Sequence, residues 1–86
     1  MSLQELFTAA VANSKTLTEK PDNETLLKLY SLYKQATAGD NNEAAPANAF
    51  DFVAKFKHEA WEKLKGTTKD DAMQQYIDLV NRLKGI

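Results

Sequence analysis

The stretch LYSLYKQATAGDNN, residues 29–42, sets Tyr30, Tyr33 and Lys34 close together ahead of a glycine stop. At helical spacing Tyr30 and Lys34 are neighbours on one face, with Tyr33 beside them. Two hydroxyls and an ammonium can donate hydrogen bonds to a phosphate, and a tyrosine ring offers a base a surface to stack on. Lys57 stands four residues before Trp61, toward the apolar side of its segment. A cation there either lays its stem past a core edge or meets an anion. Tyr76 interrupts an aliphatic stripe and raises the same question about its hydroxyl. Tyrosines and a lysine stem also suit an ordinary core edge, and the residue types leave both readings open.

Catalytic chemistry finds less support. His58 is the one histidine, no cysteine accompanies it, and Lys57 and Glu59 flank it, which suits a surface position better than a general base. The twelve acidic residues are spread along the chain, many near helix starts, where carboxylates favour the helix dipole. Asp70 and Asp71 are adjacent and diverge on a helix, so capping explains them better than a metal does. No glycine-rich phosphate loop is present. The expectation is a binding protein without catalytic residues, metal or cofactor.

Four helical segments would position these side chains. The first covers about 3–14, with Ser2 and Glu5 as a capping box and Leu3, Leu6, Phe7, Ala10 and Val11 at helical spacing. Pro21 fits the first turn of a second helix over about 22–37, whose stripe is Leu26, Leu29, Tyr30 and Tyr33. Gly39 supplies its stop. Residues 38–49 read as a mobile loop long enough to cross a small bundle. The third helix spans about 51–65, ending at Gly66, with Phe52 and Phe56 along one row and Val53, Lys57, Trp61 and Leu64 along the next. The fourth begins near Thr68, which with Asp71 resembles a capping box, and carries Met73, Tyr76, Ile77, Val80 and Leu83.

Composition narrows the class. A chain of 86 residues, 43% hydrophobic and 27% charged, suits one small folded domain. A net charge of −1 and a pI near 5.7 argue against nucleic acid, whose binding draws on a basic excess. The absence of cysteine excludes a disulfide framework and suits a reducing compartment. No apolar run approaches the roughly 20 residues of a membrane span, and MSLQELFTAAVA lacks the pattern of a secretory leader. A soluble intracellular protein is expected.

The tyrosine-lysine stretch together with DFVAKFKHEAWEKLKGTTKDDAMQQYIDLVNRL closely resembles the acyl-CoA-binding protein family. The pieces are the Tyr30–Asp40 run, the Lys55–Gly66 run, Ala72–Met73 and Tyr76–Ile77, with Phe7, Ala10, Lys15 and Leu17 before Pro21. The resemblance covers nearly the whole chain. It implies an all-α four-helix bundle with a long crossing loop between helices 2 and 3, a single domain over 1–86 that binds long-chain acyl-CoA esters without changing them. On the matching positions, Tyr30, Lys34 and Lys57 would hold the ribose 3′-phosphate. Tyr33 would pack on the adenine, Tyr76 would contact the ligand from the last helix, and Lys15 would lie near the nucleotide. The chain departs from the family's usual residues at Val11, where an alanine packs on adenine, at His58, where an aromatic is common, and in the loop before Asp51.

A cytoplasmic monomeric carrier is therefore expected, with acyl-CoA as its ligand and at most transient contacts with membranes or acyl-CoA-using enzymes. Two other readings remain: a helical protein-interaction module that has lost the ligand, and an acyl-CoA-processing enzyme, for which the sequence offers no catalytic domain.

Overall fold

The computed structural model describes residues 1–48 and 50–85. Ala49, in the expected crossing loop, and Ile86, at the end of the expected domain, lie outside the described residues. The helices are α1 (Leu3–Ser14), α2 (Asn23–Ala38), α3 (Phe52–Glu62) and α4 (Lys69–Lys84), with no strand among the described residues. The all-α bundle and its long α2–α3 connection are as expected.

Local chemistry sets the helix starts. Ser2 Oγ accepts from the Glu5 amide at 3.1 Å while the Glu5 carboxylate accepts from the Ser2 amide at 3.4 Å, a complete capping box. Asp22 and Asp51 cap α2 and α3, accepting from the amides of Thr25 at 2.8 Å and Ala54 at 3.0 Å. The Asp22 carboxyl is held below its ordinary pKa by its hydrogen bonds to Thr25. At α4, Thr68 Oγ1 accepts from the Asp71 amide at 3.1 Å, which is the Thr68 half of the expected box.

Two expected boundaries shift. Pro21 precedes the Asp22 cap instead of occupying the first turn of α2. α3 ends at Glu62, and the chain reaches Gly66 through turns in which the amides of Leu64 and Lys65 bond three residues back, to Trp61 and Glu62. Gly39 does stop α2, with φ 82° and ψ −151°. That region is essentially restricted to glycine, and it lies outside the left-handed helical well that a helix stop suggests.

The helices pack in the spatial order α1, α4, α2, α3: α4 lies against both α1 and α2, and α3 lies against α2. Principal extents of 40 × 28 × 15 Å show how open this is, since one helix with its side chains is about 10–12 Å across. The core joins Phe7 and Ala10 of α1, Leu29, Leu32 and Ala36 of α2, and Ala72, Met73, Tyr76, Ile77, Leu79 and Val80 of α4. α3 adds only Trp61 to the buried residues. The expected α4 stripe is thus buried up to Val80, and Leu83 is exposed at the end.

The α2 stripe needs correction. Leu29 is buried, but Leu26 and Tyr33 are exposed, and the face in the core is Leu29, Leu32, Gln35 and Ala36. α2 packs against α4 on one side and α3 on another, so it carries two apolar faces, and the tyrosine stripe borders an open concavity.

The connection between α2 and α3, expected to be mobile, is fastened at several points. The Trp61 indole donates to the Gly39 carbonyl at 2.8 Å. Asp40 Oδ1 accepts from the Gly66 amide and from the Gln35 side chain, both at 2.9 Å. Gln35 Nε2 also donates to the Thr67 carbonyl at 2.7 Å, so two acceptors fix the orientation of this buried amide. Asn41, buried, donates to the His58 carbonyl at 3.3 Å.

Candidate functional site

Three adjoining concavities lie along α2, with walls from α1, α3 and α4. The first, about 340 Å³, is lined by Val11, Ser14 and Lys15 of α1 and its end, by Leu26, Leu29, Tyr30 and Tyr33 of α2, and by Pro21 and Tyr76. The second, about 650 Å³, lies between Leu26 and Leu27 of α2 and Val53, Phe56 and Lys57 of α3. The third, about 200 Å³, is enclosed by Tyr30, by Lys57, His58 and Trp61 of α3, and by the loop at Glu43, Ala44 and Pro46. Leu26 is shared by the first and second, Tyr30 by the first and third, and Lys57 by the second and third. An apolar groove therefore runs into a region of tyrosines and lysines.

The six residues singled out in the sequence divide accordingly. Lys15, Tyr30, Tyr33 and Tyr76 line the first cavity. Lys57 lies across from Tyr30, its ammonium 5.1 Å from the centre of that ring. Lys34 lines none of the three cavities. Its ammonium sits 4.8 Å from the centre of the Trp61 ring, which borders the third. Each cation thus rests on an aromatic face, an interaction worth about 0.5–1 kcal/mol at an exposed site. A charge-assisted hydrogen bond to an anion is worth about 1.5–3 kcal/mol, so an arriving phosphate would outcompete the ring.

Tyr76 answers the question its hydroxyl raised. The ring is buried edge-on to Phe7 at 5.2 Å between centroids, and its hydroxyl donates to Ser14 Oγ at 3.1 Å. Ser14 in turn donates to the Val11 carbonyl at 2.7 Å. Phe7 also stacks with Tyr33 at 6.0 Å, so the exposed tyrosine leans on the core through one ring. Its 41% exposure leaves area that a flat ligand could cover.

Several lining residues drew no attention as site residues in the sequence. Ser14 carries no distinguishing pattern, Pro21 reads only as a helix-start residue, and the loop residues Glu43, Ala44 and Pro46 reach the site through the fold. Trp61 stands at helical spacing from Lys57, but its contact with Lys34 spans two helices. The large apolar side chains Phe52, Val53 and Phe56 are 59%, 63% and 53% exposed, an unusual concentration for one short helix. Two of them line the groove.

A sequence model of the family described as "Acyl CoA binding protein" matches residues 4–80. The chain belongs to the acyl-CoA-binding protein family. It is 48% identical over 77 residues to acyl-CoA-binding protein homolog 1 of Caenorhabditis elegans, covering 90% of this chain and 88% of that one. With the acyl-CoA-binding protein of Saccharomyces cerevisiae it shares 43% identity over 81 residues, 94% of this chain and 92% of the relative. Among solved structures, Oryza sativa acyl-CoA-binding protein 2 superposes with a TM-score of 0.89 at 39% identity, covering 95% of this chain and 90% of the other. The protein of the same family from Moniliophthora perniciosa gives 0.86 at 34% identity, over 96% and 80%. The bundle, its helix order and its long connection are thus those of acyl-CoA-binding proteins. Among the described residues no helix is long and apolar enough to cross a membrane.

Proposed function

We propose that this chain acts as one acyl-CoA-binding domain over residues 1–86, holding long-chain acyl-CoA esters non-covalently and carrying them as a monomer in the cytoplasm. The observation that supports this most is the junction of the cavities: Leu26, Tyr30 and Lys57 each belong to two of them, so an apolar groove adjoins a cationic, hydroxyl-bearing pocket. A ligand with an anionic head and a long apolar tail fits that pairing.

Tyr30, Lys34 and Lys57 would hold the ribose 3′-phosphate, the two lysines leaving their rings to do so. Tyr33 would stack on the adenine, with Lys15 near the nucleotide and Tyr76 closing the first cavity from α4. The acyl chain would lie between Leu26, Leu27, Val53 and Phe56. Each methylene fully removed from water contributes about 0.8 kcal/mol, so affinity should rise with chain length until the groove is filled. Nothing in this scheme makes or breaks a bond. The benefit is physical: a thioester shielded from water and a detergent-like molecule kept in solution.

Calorimetric titration with palmitoyl-CoA, octanoyl-CoA, free CoA and palmitate tests the reading. Tight one-to-one binding of the long ester, with free CoA and palmitate each far weaker, is the expected result. No binding of any CoA species would overturn it and favour an interaction module. Release of free CoA above background during incubation would instead make the protein an enzyme.

A further inference from the structure

His58 has no role in the scheme above, yet it lines the same small cavity as Tyr30 and Lys57. Its Nε2 lies 3.0 Å from the Glu43 carbonyl oxygen. A carbonyl only accepts, so Nε2 carries the hydrogen and Nδ1 keeps the lone pair of the neutral ring. Protonation at Nδ1 therefore adds a charge without breaking the bond to the loop. The Asn41 amide bonded to the His58 carbonyl holds the same residue from its backbone side. The imidazole is thus fixed at the wall of the pocket in either charge state.

The surrounding charges decide what it can do there. From the loop comes Glu43, from α2 come Tyr30 and, across Trp61, Lys34, and from α3 itself come Lys57 and, one turn away on either side, Lys55 and Glu62. Lys34, Lys55 and Lys57 oppose a further positive charge there, while Glu43 and Glu62 favour it. An arriving phosphate with nearly two negative charges shifts that balance toward the imidazolium.

We propose that His58 is a specificity-determining residue of the headgroup site, its imidazolium form binding the ribose 3′-phosphate beside Tyr30 and Lys57. The proposal rests on the acyl-CoA reading and deepens it, because it ties ligand affinity to pH through a side chain rather than through the ligand alone. A ligand that favours the protonated ring is bound more tightly where the ring is protonated, and it draws up a proton as it binds. Histidine side chains change charge between about pH 5 and pH 8. The phosphate takes up its own second proton near pH 6, so wild type and variant must be compared on the same ester.

The test titrates palmitoyl-CoA and its 3′-dephospho analogue into the full chain and into His58→Gln, at about pH 8 and about pH 6. Glutamine keeps an amide donor for the Glu43 carbonyl but cannot titrate. For palmitoyl-CoA, the ratio of wild-type to variant affinity should rise roughly fivefold from the higher to the lower pH. With the dephospho ester the ratio should stay constant. Wild type should also take up more protons than the variant on binding, read from heats in buffers of different ionisation enthalpy. A ratio independent of pH would overturn the proposal and leave His58 as a fastener for the loop. An equal rise with the dephospho ester would overturn the 3′-phosphate assignment. Absence of palmitoyl-CoA binding by wild type at both pH values would remove the acyl-CoA reading itself, and this proposal with it.

Discussion

α3 and α4 are both amphipathic helices with aromatic residues, yet they spend their apolar side chains differently. α4 buries Ala72, Met73, Tyr76, Ile77, Leu79 and Val80 between α1 and α2. α3 packs on α2, buries Trp61, and leaves Phe52, Val53 and Phe56 largely open. The contrast separates two tasks. A helix with neighbours on two sides stabilises the fold, whereas a helix with one neighbour can present its apolar side chains to a ligand. Stability and binding should therefore respond to different substitutions.

The largest expected effect tests the stabilising half. Leu32 is 1% exposed, faces α4 from α2 and lines none of the three cavities. Leu32→Ala should cost about 2–5 kcal/mol in denaturant unfolding, from lost transfer energy and the cavity left behind. The folded fraction should still bind palmitoyl-CoA normally. A large loss of affinity in fully folded protein would erase the division between core and groove.

Lys57→Ala tests the other half. Its head lies over Tyr30 and its side chain is exposed, so unfolding should move by no more than about 0.5 kcal/mol. Affinity for CoA esters should fall by about 1.5–3 kcal/mol, the worth of a hydrogen bond to a charged group. Titration and denaturation of the same preparation give both numbers. A variant that loses stability and keeps affinity would make Lys57 a core-edge residue, the other reading its position allows.

Phe56→Ala should act more gently. The ring is half exposed in the free protein and lines the groove, so removing it deprives an acyl chain of part of its cover. A loss of about 1 kcal/mol is expected for palmitoyl-CoA and less for octanoyl-CoA. Equal losses for both esters would put the ring beside the headgroup end instead.

The sequence made the two halves legible to unequal degrees. The bounds of α1 and the stripe of α4 as far as Val80 were legible, because capping residues and one-sided stripes are local signals; in the α1 stripe only Phe7 and Ala10 are buried, and Leu6 is exposed. The sequence of α2 suggests one stripe where the helix has two apolar faces, since a helix facing two neighbours shows a mixed pattern. The burial of Gln35 was hidden, because its partner Thr67 lies 32 residues away and a polar side chain gives no periodic signal. Tyr30, Tyr33, Lys34 and Lys57 could be chosen by type and spacing. That Lys34 rests on Trp61 and that His58 borders the same pocket as Lys57 depend on how α3 crosses α2, and spacing within one helix does not contain that.

The smallest expected effect concerns the seam between the halves, where Asp40 ties the end of α2 to the turn after α3. Its carboxyl is held below the ordinary carboxylate range, first by the Gly66 amide and then by the Gln35 side chain; burial opposes this and the Lys65 charge adds to it. A group whose folded pKa is depressed contributes stability above its unfolded pKa, about 3.9, and loses it as pH falls through the folded value. Asp40→Asn keeps an oxygen to accept from Gly66 and removes the charge. Its melting temperature should lie slightly below wild type at neutral pH, and the two curves should converge as pH drops below about 4. A gap that persists in acid would locate the loss in the geometry of the amide rather than in the charge. The seam would then depend on hydrogen-bond shape alone, and acid should leave the attachment of α3 to α2 intact.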